Sequence, residues 1–359
     1  MSSGSRPVLY ALILAGGRGA RFWPLSRRAR PKQCQSLSGG RTLVQQTLDR
    51  LAPLIPPERV FVVTGPDMAP LIRDQLPEVP PAQILVEPTP RNTAPCIAWG
   101  ADVVARAAGR DAIVAVLPSD HAIGDAATFR AGLECAAGAA AGAPALVTLG
   151  IRPDRPATGY GYVELDEAPA PDAPVAARVV RRFVEKPDAE TARDFLDGGR
   201  HLWNAGVFVF SVETLRGELG QHLPRTAEAL AELREGRMSL REAWAQTDAT
   251  SIDYGVLERS DAVLTVPCDP GWSDLGSWEQ VGDWLPEAPG GRGRARRIVA
   301  VDSEGCVVHA LDKAVALVGL QDLIVVDTPD ALLVLDPKRA QDVREVLDQI
   351  EALGLEDLL

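Results

Sequence analysis

Short apolar runs punctuate the first third of the chain. Residues 8–14, 60–63, 84–86 and 112–117 are rich in aliphatic and β-branched side chains and are bounded by glycine, proline or charge, the pattern of strands buried on both faces. Between the third and fourth runs, residues 93–108 read as a helix. Strands alternating with helices predict an α/β fold with a doubly wound, mostly parallel, Rossmann-like sheet and right-handed crossovers. Further strands are expected at 146–151, 179–184 and 202–210, with an exposed Ala/Pro/Asp connector at 169–174. From about Gly290 the pattern changes. Residues 290–294 read as a linker, and closely spaced β-type runs follow at 298–301, 306–310, 314–318, 323–326 and 332–335. Pro337 then introduces a closing helix with apolar Val343, Val346, Leu347, Ile350 and Leu353. The expected division is 1–289, a large α/β domain, and 290–359, a small β-rich domain, of which a short β-helix is one form.

Composition narrows the class. Hydrophobic residues make up 46% and charged residues 24% of 359, ordinary globular usage able to bury a core. The apolar start after Arg6 could be taken for a signal peptide, but a buried first strand accounts for it better. No run approaches the roughly 20 apolar residues that span a bilayer. Five well-separated cysteines with no C-x-x-C pair suggest neither a disulfide framework nor a zinc site, and fit a cytoplasmic protein.

Net charge is -12, which disfavours a nucleic-acid binder. Its distribution is uneven. Before Asp49 there is no acidic residue, whereas Arg6, Arg18, Arg21, Arg27, Arg28, Arg30, Lys32 and Arg41 are all basic. A solvated surface would explain such a run elsewhere. Here the first strand stops at Leu14-Ala15-Gly16-Gly17-Arg18-Gly19, placing a glycine-rich loop at a strand's carboxyl end, where open α/β sheets bind ligands. Glycines admit phosphate oxygens to backbone N–H groups and arginine adds charge-assisted hydrogen bonds, so the loop reads as a phosphate site. The spacing fits neither a Walker loop nor the dinucleotide fingerprint.

Residues 14–26, closing with Arg30-Pro31-Lys32-Gln33, resemble the signature of the sugar nucleotidyltransferases, and the Phe22-Trp23-Pro24-Leu25-Ser26 form is most similar to the mannose-1-phosphate guanylyltransferases. The resemblance implies that Leu14, Ala15, Gly16, Gly17, Arg18, Gly19 and Lys32 surround a nucleotide triphosphate. It extends to Glu87-Pro88-Thr89-Pro90-Arg91-Asn92-Thr93-Ala94, where the family holds its base. A carboxylate such as Glu87 suits guanine, whose N1–H and N2 both donate, although a proline-rich turn with Thr93 as helix cap would explain the segment equally. After the fourth strand, Ser119-Asp120-His121 places a carboxylate where a hard divalent cation, Mg2+ or another, would use it. Without the family pattern, Asp120 would read as a helix cap and His121 as structural.

Further along, Gly159-Tyr160-Gly161, Glu185-Lys186 and Asn204 match sugar-phosphate-binding stretches. The resemblance implies that Glu185 meets sugar hydroxyls and Lys186 the phosphate; an exposed ion pair is the plain alternative. Trp203 and Phe208 read as core, residues 251–258 as structural, and Asp274 as a second metal ligand. The expected catalytic set is Arg18, Lys32, Asp120, Lys186 and Asp274. The implied reaction joins GTP and mannose 1-phosphate to give GDP-mannose and pyrophosphate, in a homodimer without nucleic acid or membrane partners. Transfer to another base and sugar pair, such as thymidylyl or uridylyl transfer to glucose 1-phosphate, and a non-catalytic regulatory subunit are the alternatives. Mannose-6-phosphate isomerase activity is not expected.

Overall fold

Strand β1 (Leu9–Ala15) is apolar on both sides and buried along most of its length, so it must be flanked on both edges and covered on both faces. It runs parallel to β2 (Val60–Thr64), β2 runs parallel to β3 (Ile84–Val86), and β4 (Ile113–Pro118) lies parallel on the other edge of β1. The structure, a computed structural model, describes residues 7–17, 19–37, 39–167 and 176–359. Arg18 and the connector expected at 169–174 lie outside the described residues.

The chain forms two compact units. The first gathers the described residues of Met1–Gly16, Leu48–Ser119 and Ile123–Trp272; the second those of Gly17–Thr47, Asp120–Ala122 and Ser273–Leu359.

In the first unit β1–β4 continue into β5 (Leu146–Ile151), β6 (Gly161–Leu165), β7 (Arg178–Glu185), β8 (His201–Ser211) and β9 (Val263–Pro267), in the spatial order β3-β2-β1-β4-β8-β5-β9-β7-β6. The parallel arrangement holds for β1–β4 and for β5 with β9. The sheet as a whole is mixed, because β8 runs antiparallel to β4, β5 and β6, and β7 is antiparallel to both β6 and β9. Helix α1 (Thr93–Ala108) packs tightly on the sheet: a Cβ at Gly100 would stand 2.6 Å from the Leu12 side chain. Its cap is Asn92 rather than Thr93. The Asn92 side chain accepts from the Thr93 N–H at 2.9 Å, while Thr93 Oγ1 accepts from the Ile252 N–H. Asp102 of α1 ties down α2 (Val212–His222) and α3 (Pro224–Arg234) through Arg216 and Arg234 at 2.8 and 2.7 Å.

The second unit contains β10 (Glu287–Ala288), β11 (Gly291–Val301), β12 (Cys306–Val318), β13 (Ile324–Asp327) and β14 (Leu332–Leu335). The expected linker at 290–294 belongs largely to β11, and the two runs at 306–310 and 314–318 are one strand. β11 and β12 are consecutive yet parallel, as are β12 and β13. Connections this short cannot hold a crossover helix, so the chain coils through successive rungs, as a β-helix does. Gly291 permits it: any Cβ there would lie 2.1 Å from the Cys306 carbonyl oxygen. The closing helix α4 spans Val343–Ala352. Leu353 lies beyond it and is 73% exposed, so it is not part of the apolar face expected of it. Val343 and Ile350 are buried with Phe22, Trp23 and Trp278 in one cluster. Trp203 and Phe208, read as core, are buried in the first unit.

Candidate active site

The carboxyl ends of β1–β4 lie side by side in the first unit. Thr64 Oγ1 donates to the Ala15 carbonyl at 2.9 Å, the Glu87 N–H donates to the Thr64 carbonyl at 2.9 Å, and the Ser119 N–H donates to the Leu14 carbonyl at 3.2 Å. Leu14, Ala15, Glu87 and Ser119 are thereby brought to one sheet end. Glu87 is 7% exposed and its Oε2 accepts from the Cys96 thiol at 3.2 Å. Burial pushes its pKa up, against the lowering effect of hydrogen bonds from Cys96 and the Arg91 backbone. A buried acceptor of this kind can hold paired N–H donors. The Arg91 guanidinium donates to the Thr247 carbonyl. Asn92 holds a left-handed φ of 68° and Ala94 is buried at the start of α1. Pro88 follows Glu87 in the turn that leaves β3.

A second group in the same unit forms where β6, β7 and β8 adjoin. Lys186 has φ +49°, a left-handed conformation costly for a side chain of its size. Its N–H donates to the Tyr160 carbonyl at 3.1 Å and its Nζ donates to Glu185 Oε1. Burial draws the Lys186 pKa down, but the hydrogen bond and charge of Glu185 outweigh it, helped by Tyr254 and Asp253, and the ammonium is held above its ordinary value. Tyr160 stacks edge-on with Trp203 and Trp272, at 5.0 and 5.2 Å, between Gly159 and Gly161. A Cβ at Gly161 would lie 2.4 Å from Glu185 Oε2, so the glycine leaves room for that carboxylate.

Asn204 is 8% exposed and its orientation is settled by its partners. Oδ1 accepts from Thr148 Oγ1 at 2.6 Å and from the Gly206 N–H at 3.2 Å, while Nδ2 donates to Asp253 Oδ1 at 3.0 Å. With its oxygen accepting twice, Asn204 offers a further partner its amide N–H rather than its oxygen. Local pattern alone reads residues 251–258 as structural, yet Asp253 joins this group and Glu258 Oε1 accepts from the Glu185 N–H at 3.0 Å. Burial, then the Glu185 charge, push the Asp253 carboxyl up to about 6, against Lys186 and Asn204. An irregular one-turn π-helix at Asp253–Leu257 carries Asp253 and leads directly into Glu258, and such turns mark functional sites more often than ordinary helix does.

In the second unit the glycine loop is built around Lys32. Gly19 has φ +63°, and a Cβ there would meet Lys32 Cβ at 2.4 Å. Gln33 Nε2 donates to the Gly17 carbonyl at 3.2 Å and Ser26 Oγ to the Gly19 carbonyl at 2.7 Å. Lys32 is 4% exposed. Its Nζ donates to Asp120 Oδ2 and to the Asp274 carbonyl, both at 2.8 Å, and lies 4.9 Å above the Phe22 ring. One ammonium thus joins the two expected metal residues. Burial acts to raise the Asp120 pKa, but Lys32 and His121 outweigh it and hold the carboxyl below its ordinary value. Asp274 Oδ1 accepts from the Gly276 N–H at 3.1 Å in a tight turn where Leu275 has φ +46°. Lys32 links the Asp120 carboxylate to the Asp274 backbone, and carboxylate oxygens are the donors a hard divalent cation takes. No cluster of three or more ligating side chains occurs among the described residues, and Mg2+ needs only one or two carboxylates when substrate phosphates complete its shell.

Residues 10–286 match the nucleotidyl transferase family, and residues 296–350 match the mannose-phosphate isomerase/GMP-like β-helix domain. The xanthan biosynthesis protein XanB of Xanthomonas campestris is 38% identical over 96% of this chain and 73% of its own. A mannose-1-phosphate guanylyltransferase of Escherichia coli is 36% identical over 96% of this chain and 74% of its own. A crystal structure from Thermus thermophilus, described as a mannose-1-phosphate geranyltransferase, superimposes with a TM-score of 0.86 at 37% identity, covering 96% of this chain and 99% of that one. The chain belongs to the nucleotidyl transferase family and is a nucleotidyltransferase enzyme with a C-terminal β domain of the β-helix type.

Proposed function

We propose that the protein transfers GMP from GTP to mannose 1-phosphate, giving GDP-mannose and pyrophosphate. The observation that carries the reading is the Lys32 ammonium joining Asp120 and Asp274 beside a glycine loop; relatives named for mannose-1-phosphate guanylyl transfer supply the substrates. A phosphate oxygen of the sugar phosphate, already anionic at neutral pH, bonds to the α-phosphorus while the bond to the β-phosphate oxygen breaks, and pyrophosphate leaves with that electron pair. No general base is required, so the residues need only position and neutralise.

Backbone N–H groups of the loop from Gly16 to Gly19, with Arg18, cradle the triphosphate. Lys32 keeps Asp120 anionic and adds positive charge beside the loop. Glu87 accepts from the guanine N1–H and N2 donors. Lys186 binds the sugar phosphate, Glu185 and Asn204 the sugar hydroxyls. A divalent cation such as Mg2+, held by Asp120 and Asp274, would neutralise the phosphate oxygens during transfer. A homodimer built through the C-terminal β unit, in the cytoplasm, is the expected state; a monomeric mass for the intact chain would contradict the dimer. Glu87→Gln tests the base assignment: GTP preference over ATP should fall, and an unchanged preference would remove Glu87 from that role.

A further inference from the structure

We propose that residues 353–359 act as a strap that positions the glycine loop for the nucleotide triphosphate, an inference that rests on the nucleotidyl-transfer reading above. The basic run that opens the chain is not spent wholly on phosphate. Arg27 Nη2 bonds Asp330 at 3.0 Å, and Arg28 bonds Glu356 at 2.7 Å and Glu351 at 3.3 Å. These partners lie more than 300 residues away in sequence. The Arg28 backbone N–H also donates to the Leu359 carbonyl at 3.2 Å, and Trp23 Nε1 donates to the Leu358 carbonyl at 2.9 Å.

The weight of the strap falls on its buried part. Arg28 is 44% exposed and its acids 60% and 61%, and such ion pairs contribute little. Trp23, in contrast, is 6% exposed, and Leu358 and Leu359 pack against the cluster of Phe22, Trp23 and Trp278. From there the route to the loop is short. The Phe22 N–H and Ser26 Oγ both donate to the Gly19 carbonyl, at 2.9 and 2.7 Å, and Phe22 lies beneath the Lys32 ammonium. Residues 22–26 are therefore clamped between the strap on one side and the loop on the other. Loosening the strap lets Gly19 shift against Lys32 without removing any group that touches phosphate.

The test compares the 359-residue chain with a chain ending at Gly354 and with Trp23→Phe, which keeps an aromatic ring but loses the donor to Leu358. The readouts are kcat, KM for GTP, KM for mannose 1-phosphate, and amide hydrogen exchange across residues 16–32. The shortened chain should show a KM for GTP raised about ten- to a hundredfold, the scale of a positioning contact remote from the chemistry. Its KM for mannose 1-phosphate should stay within about twofold, with exchange faster at residues 19–26 and unchanged in β4 and α1. Trp23→Phe should show the same split to a smaller degree, and decides the matter if the shortened chain does not fold. Unchanged KM for GTP and unchanged loop exchange, or equal losses on both substrates with faster exchange throughout, would overturn the strap. Failure of the underlying reading appears separately, as absence of pyrophosphate release from GTP and mannose 1-phosphate by the 359-residue chain. Protection of residues 19–26 from exchange, compared between the 359-residue and shortened chains, still decides whether the strap holds the loop.

Discussion

At the residue scale, Asp120 and Asp253 are carboxylates displaced in opposite directions. Asp120 is held below its ordinary value because Lys32 and His121 outweigh its burial, so it remains anionic through neutral pH, and its stabilising effect is lost only as pH falls through that lowered value. Asp120→Asn should reduce turnover by on the order of 10²-fold or more while leaving the far-ultraviolet circular dichroism unchanged, as expected for a polar transition-state contact; retention of near-normal turnover would exclude it from the site. Asp253, pushed up to about 6, holds its proton more tightly folded than unfolded. The folded state therefore loses stability as pH rises from about 4 to about 6, after which the cost is constant. Asp253→Asn should be more stable than the parent at pH 7.5 by roughly 2 kcal/mol, with the gain fading toward pH 4, measured by denaturant unfolding at each pH. A gain independent of pH would show that the carboxyl does not titrate there. Lys32, Asp120, Asp274, Lys186 and Asn204 are singled out through the family resemblance of the motifs that hold them, and the structure gathers the first three around one ammonium. Asp253 and Glu258 read as structural in the sequence, since their contacts with Asn204 and Glu185 depend on a π-helical turn that local pattern does not announce; the raised density of acids beside Glu185 exists only in three dimensions.

At the element scale, periodicity located β1–β4 and α1 because strands buried on both faces and a 16-residue helix leave clear apolar signatures. It did not foresee that β8 would run antiparallel among parallel neighbours, since strand direction is set by long-range topology rather than by composition. The run Gly290–Arg294 looked like a linker for its glycines and arginines, yet those glycines are what a parallel rung needs where Gly291 and Gly293 abut the backbone of β12. Gly19 is the same kind of residue in the proposed phosphate loop. Gly19→Ala would place its Cβ 2.4 Å from Lys32 Cβ and force a left-handed φ on alanine. The variant should unfold at a lower midpoint than the parent, since Lys32 Cβ and the backbone beside it must give way, and KM for GTP should rise about tenfold or more, the scale of a misplaced positioning group. Unaltered nucleotide binding would mean that the loop tolerates displacement of Lys32.

At the scale of the whole molecule, a chain of net charge -12 carries eight basic residues and no acid before Asp49, and commits two of those basic residues, Arg27 and Arg28, to carboxylates far along the sequence. Two groups are separately assembled: a glycine loop with Lys32, Asp120 and Asp274, which the proposal gives to the nucleotide, and Lys186 with Glu185, Asn204 and Asp253, whose Lys186, Glu185 and Asn204 it gives to the sugar phosphate. Nucleotidyl transfer to a sugar phosphate requires both. The most direct measurement is pyrophosphate release by the purified protein with Mg2+, presenting each nucleoside triphosphate with mannose 1-phosphate and with glucose 1-phosphate. Release with GTP and mannose 1-phosphate, slowed on the order of 10²-fold or more in Asp120→Asn, is the predicted result. Release with a different pair would contradict the assigned specificity, and no release with any pair would contradict the catalytic reading in favour of a regulatory subunit of the same fold.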